Sequence, residues 1–455
     1  FRNPLCIMKI TYLSSASVII NHENTNILCD PWLVDGEFYG SWFHYPSLNF
    51  KPEDFNFVDY IYISHIHPDH LSIKTLSRMD KKIPVIILNY VDKFLKRNIE
   101  RLGFNVIELE HNKRTHLKDN LHINILAAHY CNPEICSKLI GCSNIEKIFG
   151  ATSLDSMSVI DNGKEVVVNT NDCPFEIAKS SAGAIKEYYN NIDFLLVGYT
   201  GAGPYPQCFD MLTEQEKNDA AVKKKKQFFD QAESYVNHFQ PKFFMPFAGR
   251  YTLGGSLTSL NDQRGIPELE EAFDYFTESA NINQKKHKCI ILNPKNNFDI
   301  STEKVSEPYR KNNLLEKANY IKNVLSTKKF DFENEPHVAL DQITELLPKC
   351  YERFEYRRKK INYNSDKVIL IKILEDKILL VTCDGTGYKI ISEEEKKDFK
   401  NYVLIELDDR LLNLLLLGPK FAHWNNAEIG SHLRFYRHPD VFERAQYHCL
   451  CYFHS

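Results

Sequence analysis

Four side chains able to grip a metal ion fall within one short run, Ser64-His65-Ile66-His67-Pro68-Asp69-His70. Mixed imidazole and carboxylate donors suit zinc, iron or manganese alike. The chemistry they would support is a polarised substrate oxygen and a bound water acidified toward neutral pH. His65 and His67 are two apart, so in extended backbone their rings point to the same side. Pro68 disfavours helix at His67 and keeps that residue extended. A lone histidine is more often a packed core residue, but four ligand-type side chains at this spacing are not readily explained as packing.

The elements that must position them follow from the flanking residues. Residues 60–63 are aromatic and β-branched, a buried strand whose carboxyl end delivers the motif, where α/β sheets bind ligands. Asp69 and His70 are expected to open a helix into which Leu71, Leu76 and Met79 pack. Upstream, 10–13, 17–20 and 27–30 read as strands, the last running into Asp30-Pro31-Trp32-Leu33. Strand and helix alternate over 58–109, which argues for a layered α/β sheet. Residues 121–128 form a strand ending at His129, with His122 a structural position along it. A hairpin at 157–160 and 165–169 runs into Asp172. The strand 192–197 ends in a small-residue loop from Gly198 to Pro204, a helix spans 213–239 with four consecutive lysines, mostly solvated, at 223–226, and the strand from 242 leads into Gly249, Arg250 and Tyr251. The aromatic run 36–49, with Trp42, Phe43, His44 and Tyr45, reads either as the rim of a substrate pocket or as a buried loop.

The chain has 455 residues, 43% hydrophobic and 25% charged, with a net charge of −4. That is room for two or three globular domains and gives no footprint for nucleic acid. No apolar run approaches the ~20 residues of a membrane span; 411–417 is the densest. No signal-peptide pattern opens the chain. Twelve scattered cysteines read as reduced thiols in a cytoplasmic protein. Cys131, Cys136 and Cys142 cluster loosely, and Cys449, Cys451 and His454 read as packing. Paired Cys-x-His halves, which a Rieske iron–sulfur centre needs, are not found.

The pattern His-x-His-x-Asp-His resembles the signature of the metallo-β-lactamase fold, an α/β αββα sandwich. The resemblance implies that His65, His67 and His129 hold one metal, that Asp69 and His70 hold a second, and that Asp172 bridges both. It also implies that Asp30 braces the metal loop from behind. One departure stands out: where the family places a last histidine after a late strand, this chain has Gly249, Arg250 and Tyr251. The second metal would then lack that ligand, take a water, or borrow His423 or His432. Arg250 reads as an anion clamp or a surface ion pair. Over residues 9–300, Asp-Pro-Trp-Leu (30–33), the metal motif, Asn-Thr-Asn-Asp-Cys (169–173) and Pro-Phe-Ala-Gly (246–249) resemble the CMP-N-acetylneuraminate hydroxylase family. That family is an oxygenase with a Rieske domain ahead of this fold; without one, electrons would come from a separate protein.

These readings give a catalytic domain over 1–300 and a smaller C-terminal α+β domain over 301–455. The latter has helices at 313–325 and 338–347, a hairpin at 368–373 and 377–381, a strand at 402–407 and a Leu-rich helix at 409–417, a faint resemblance to a sterol-carrier-protein-like domain. Residues 423–428 suggest a polar brace or a lid over the metal site. The leading expectation is a hydrolase with two divalent metals cleaving an ester, phosphodiester or lactone of a small anionic metabolite, Asp69 and Asp172 carrying the chemistry, Arg250, His423 and His432 touching substrate. The rivals are a di-iron oxygenase with an electron-transfer partner and a metal-depleted binding module. Neither nucleic acid nor membrane is an expected partner.

Overall fold

The computed structural model describes residues 8–128, 155–374 and 376–455. Its first sheet has eight strands in the order Lys304–Val305, Asn297–Asp299, Met8–Ser14, Ser17–His22, Thr25–Cys29, Tyr60–Tyr62, Val85–Leu88 and Val106–Leu109. A second, seven-stranded sheet runs Lys288–Cys289, Phe243–Phe247, Phe194–Gly198, Val166–Asn169, Ser156–Asp161, His122–Ala127 and Thr115–His116. Antiparallel hairpins open the first sheet, and parallel pairs finish it from Thr25–Cys29 onward.

Strand alternation decides which sheet face meets which neighbour. Along Phe194–Gly198, Phe194 and Leu196 join the core between the two sheets, while Leu195 and Val197 join a second core. That second core is capped by the helices Phe175–Tyr188, Glu214–Phe239 and Leu269–Glu278. The expected sandwich of two sheets with helical layers is therefore the architecture, joined by a five-stranded C-terminal sheet. That sheet runs Tyr388–Ser392, Lys377–Val381, Val368–Leu374, Tyr402–Glu406, Arg434–His438. Its inner face, with Ile369, Ile371 and Val381, packs in one core with the Leu-rich helix Asp409–Leu417.

Local differences from the sequence reading have local causes. The helix after the metal motif starts later than expected, at Ile73 rather than Asp69, because Ser72 caps it by accepting from the Thr75 N–H. Asp69 and His70 stay in an irregular turn. The long helix begins where expected, with Thr213 and Glu216 closing a reciprocal capping box. Of its four lysines, Lys224 turns inward and donates to the Tyr205 carbonyl at 2.9 Å. The aromatic run is mostly a buried loop, with Trp42 stacked flat on Tyr251 at 3.4 Å between centroids. Its far end, His44 and Tyr45, nevertheless lines a cavity. Cys449 is buried in the C-terminal core, as a packing role requires.

Candidate metal centre

The strand Tyr60–Tyr62 ends in Ile63 and Ser64, and Asp30 sits opposite on the loop leaving Thr25–Cys29. Asp30 takes a left-handed φ of 42°, which few side chains but Asp, Asn and Gly adopt cheaply. That turn aims a fully buried carboxylate at the metal motif. It accepts from the Ser64 N–H at 2.7 Å, the Ser64 hydroxyl at 2.6 Å and His70 Nδ1 at 2.7 Å. The last bond fixes the ring's orientation: with Nδ1–H committed to Asp30, His70 Nε2 faces inward.

The other two rings are set the same way. Having donated to Asp30, the Ser64 oxygen takes the His65 Nδ1–H at 3.0 Å. Asn425 Oδ1 takes the His67 Nε2–H at 3.3 Å. The two remaining lone pairs, on His65 Nε2 and His67 Nδ1, then face each other at 2.9 Å. Lone pairs at that distance repel unless a cation lies between them.

Carboxylates close the other side. Asp172 Oδ2 stands 3.3 Å from His70 Nε2 and 3.9 Å from His65 Nε2, and Asp69 Oδ2 stands 3.5 Å from His70 Nε2. Asp155 Oδ1 lies 3.3 Å from His65 Nε2. Two ligand sets result, His65–His67–Asp172 and Asp69–His70–Asp172, each with its donor atoms within 4.8 Å of one another. Asp172 belongs to both.

The electrostatics fit a cation. Burial drives His65 down to about 3 and His67 down to about 4, so both rings are neutral donors. Burial pushes the Asp69 and Asp155 carboxyls up, with repulsion from Asp172 adding to it. Burial works against a charged His70, but Asp172, Asp69 and Asp30 together outweigh it and hold that ring well above its usual value. His70 Nε2 and Asp155 Oδ1 are buried with no hydrogen-bond partner. Crowded carboxylates and orphaned inward atoms are what a bound divalent ion would satisfy.

The sequence-expected residues divide clearly. His65, His67, Asp69, His70, Asp172 and the brace Asp30 are brought together. His129 lies outside the described residues, as do Cys131, Cys136 and Cys142. His432 does not reach the site: its Nε2 bonds the Phe38 carbonyl at 2.7 Å and its ring packs against Phe330 and Phe332. Its place among substrate-touching residues is therefore corrected to one of packing. His423 caps the helix Trp424–Ile429, accepting from the Asn425 N–H at 3.2 Å. It stands behind Asn425 and is in neither ligand set. Arg250 faces a separate cavity, donating to the Tyr45 carbonyl at 2.6 Å.

The departure at 249–251 has a steric reason. Gly249 has φ +68°, and a Cβ there would lie 1.8 Å from Thr200 Oγ1, so the turn has no room for an imidazole at that position. Two site residues escaped the sequence reading. Asp155 directly precedes the strand Ser156–Asp161, a strand-end signal that could have flagged it. Asn425 lay inside the segment read as a brace, but nothing local paired it with His67, 358 positions away.

Comparison with known proteins fits this geometry. A family model described as a β-lactamase superfamily domain matches residues 9–133. A Mycolicibacterium smegmatis protein provisionally named a Rieske 2Fe-2S iron–sulfur protein is 28% identical over 268 residues, covering 57% of this chain and 47% of its own length. The cytidine monophosphate-N-acetylneuraminic acid hydroxylase of Xenopus laevis is 25% identical over 264 residues, covering 54% and 38%. That of Asterias rubens is 20% identical over 455 residues, covering 96% and 64%. The chain spans about half the length of the first of these, and less than two thirds of each. Residues 9–133 thus match a β-lactamase superfamily domain, in a chain whose two-sheet sandwich carries a histidine–aspartate cluster at its strand ends.

Proposed function

We propose that this protein is a metal-dependent hydrolase that binds two divalent cations and cleaves an ester, phosphodiester or lactone bond in a small anionic metabolite. The observation that carries it is Asp172, whose Oδ2 is shared by both ligand sets. His65 and His67 would hold one ion with Asp172, and Asp69 and His70 the other. When bound, such a pair supplies Lewis acidity to a substrate oxygen and lowers the pKa of a coordinated water.

The chain's own residues do the remaining work. Asp30 and Ser64 fix the ring orientations of His70 and His65, and Asn425 holds His67 from the opposite wall. Asp155 presents an unpaired acceptor, Oδ1, buried beside His65, where a proton released from an attacking water can be received. Asp172 is about one-third exposed, so the shared carboxylate borders the opening through which substrate enters.

A second reading, a di-iron oxygenase fed by a separate electron donor, is favoured by the relatives named as hydroxylases and Rieske proteins. One experiment separates the two. Protein purified under nitrogen is analysed for metals, then assayed on phosphodiester, ester and lactone panels with and without reductant and oxygen. Turnover that needs neither supports the hydrolase. Two irons per chain, with product only when both are added, refutes it.

A further inference from the structure

A cavity of about 730 Å³, lined by none of the metal ligands, is not used by the chemistry above. It has the size of a small-metabolite site. Arg250 lines it, and only one of its guanidinium donors has a described partner, the Tyr45 carbonyl. Among the described residues no carboxylate lies within 4.0 Å of Arg250 or of Lys311, which also lines the cavity. Glu268, the nearest acid acting on Arg250, is engaged by Lys317. The two acids on the cavity wall are occupied too: Glu307 accepts from Arg310, and Glu316 from the Asn313 amide.

Two further wall residues are almost wholly buried and carry orphaned polar atoms. Ser15 is 3% exposed and its hydroxyl has no partner; His44 is 4% exposed and its Nε2 has none. His44 Nδ1 is committed to Asp35 at 2.8 Å, so Nε2 is left as an acceptor. Asn312 lines the same wall with an unpaired side-chain N–H group. Those three atoms are shut off from solvent, so what a guest in the cavity meets is the remaining guanidinium donors of Arg250 and the ammonium of Lys311. Their complement is an oxyanion.

We propose that this cavity is a binding site for the phosphoryl or carboxylate group of a small molecule, with Arg250 as the clamp. Two contacts link the wall to the backbone of the brace Asp30. The His44 ring lies 3.9 Å from that of Trp32, and Ser17 on the adjoining hairpin donates to the Asp30 carbonyl at 2.7 Å. The site thus deepens the hydrolase reading, on which it rests for its purpose; its existence as an anion site does not depend on turnover.

The test is calorimetric titration of the metal-loaded full chain with inorganic phosphate and, separately, glucuronate. Saturable binding of either probe is expected, and the tighter one identifies the anion. Arg250→Gln should weaken it about tenfold, since a charge-assisted contact is lost. Arg250→Lys should recover only part, because the planar fork is gone. Lys311 is exposed, so Lys311→Gln folds as the parent and should cost about threefold. His67→Ala should leave the affinity within about twofold of the parent. No saturable binding, equal affinity in the Arg250 and Lys311 variants, or binding lost in His67→Ala, which would put the anion on the metal, overturns the proposal. Anion binding in a protein that holds two irons and forms product only with reductant and oxygen overturns the function proposed above and leaves this site standing.

Discussion

Asp30→Asn is the perturbation that most directly tests how the metal centre is held. The Asp30 carboxylate is fully buried and accepts three donors, from the Ser64 N–H, the Ser64 hydroxyl and His70 Nδ1. Asparagine keeps the shape but replaces one acceptor oxygen with an NH₂, which meets a hydroxyl or ring N–H head-on. One charge-assisted bond is worth about 1.5–3 kcal/mol, and removing the charge from a buried pair commonly costs about 3–5 kcal/mol. A loss near 3 kcal/mol in unfolding free energy is therefore expected. The metal readout matters more. His70 Nδ1–H loses its anchor, so the ring can turn and withdraw Nε2; partners of this kind are worth about 10–100-fold in metal affinity. The assay is chelator competition followed by elemental analysis, alongside urea unfolding of the metal-loaded protein. Metal affinity within about twofold of the parent would show that Asp30 is only a turn residue and refute the reasoning.

Three further outcomes are expected. Asn425→Ala should weaken metal binding while Asn425→Asp, which keeps an acceptor for His67, restores much of it; equal loss in both would mean the contact is incidental. Gly249→Ala places a methyl against Thr200 at positive φ and should destabilise by about 2 kcal/mol, read by urea unfolding. Glu37 is buried against the Ser72 hydroxyl, and burial pushes its carboxyl up to about 7 from an ordinary 4.5. A carboxyl raised on folding binds its proton more tightly in the native state, so it withdraws stability as pH rises from about 4.5 to 7. The amount is on the order of 3 kcal/mol. Glu37→Gln should flatten that slope in urea unfolding measured across the window, and an unchanged slope would contradict it.

What was legible in the sequence was whatever is written in local pattern. The apolar run at 192–197 was legible as a buried strand, and the long helix was read from 213, which the structure makes its N-cap. The histidine spacing at 65–70 and the strand end before Asp172 were equally plain. Contacts that depend on which surfaces meet were not. His432 and His423 looked alike as candidate ligands, yet one is wedged among phenylalanines and the other backs the metal wall. Lys224 sat in a run of four lysines that periodicity left mostly in water, and only the packed helix face shows which one turns inward.

The bond from Asn425 to His67 ties the thirty-odd residues at the tail to a motif near the head. Tyr39 adds a second stitch, its hydroxyl accepting from the His423 N–H at 2.7 Å. During synthesis the two-sheet portion is made before Asn425 and begins to fold as a unit, but His67 lacks its counterpart until the later C-terminal segment has followed. The pocket therefore reaches its final shape only once that segment has packed. A version clipped after residue 305 would keep every strand of the two sheets and lose the grip on His67.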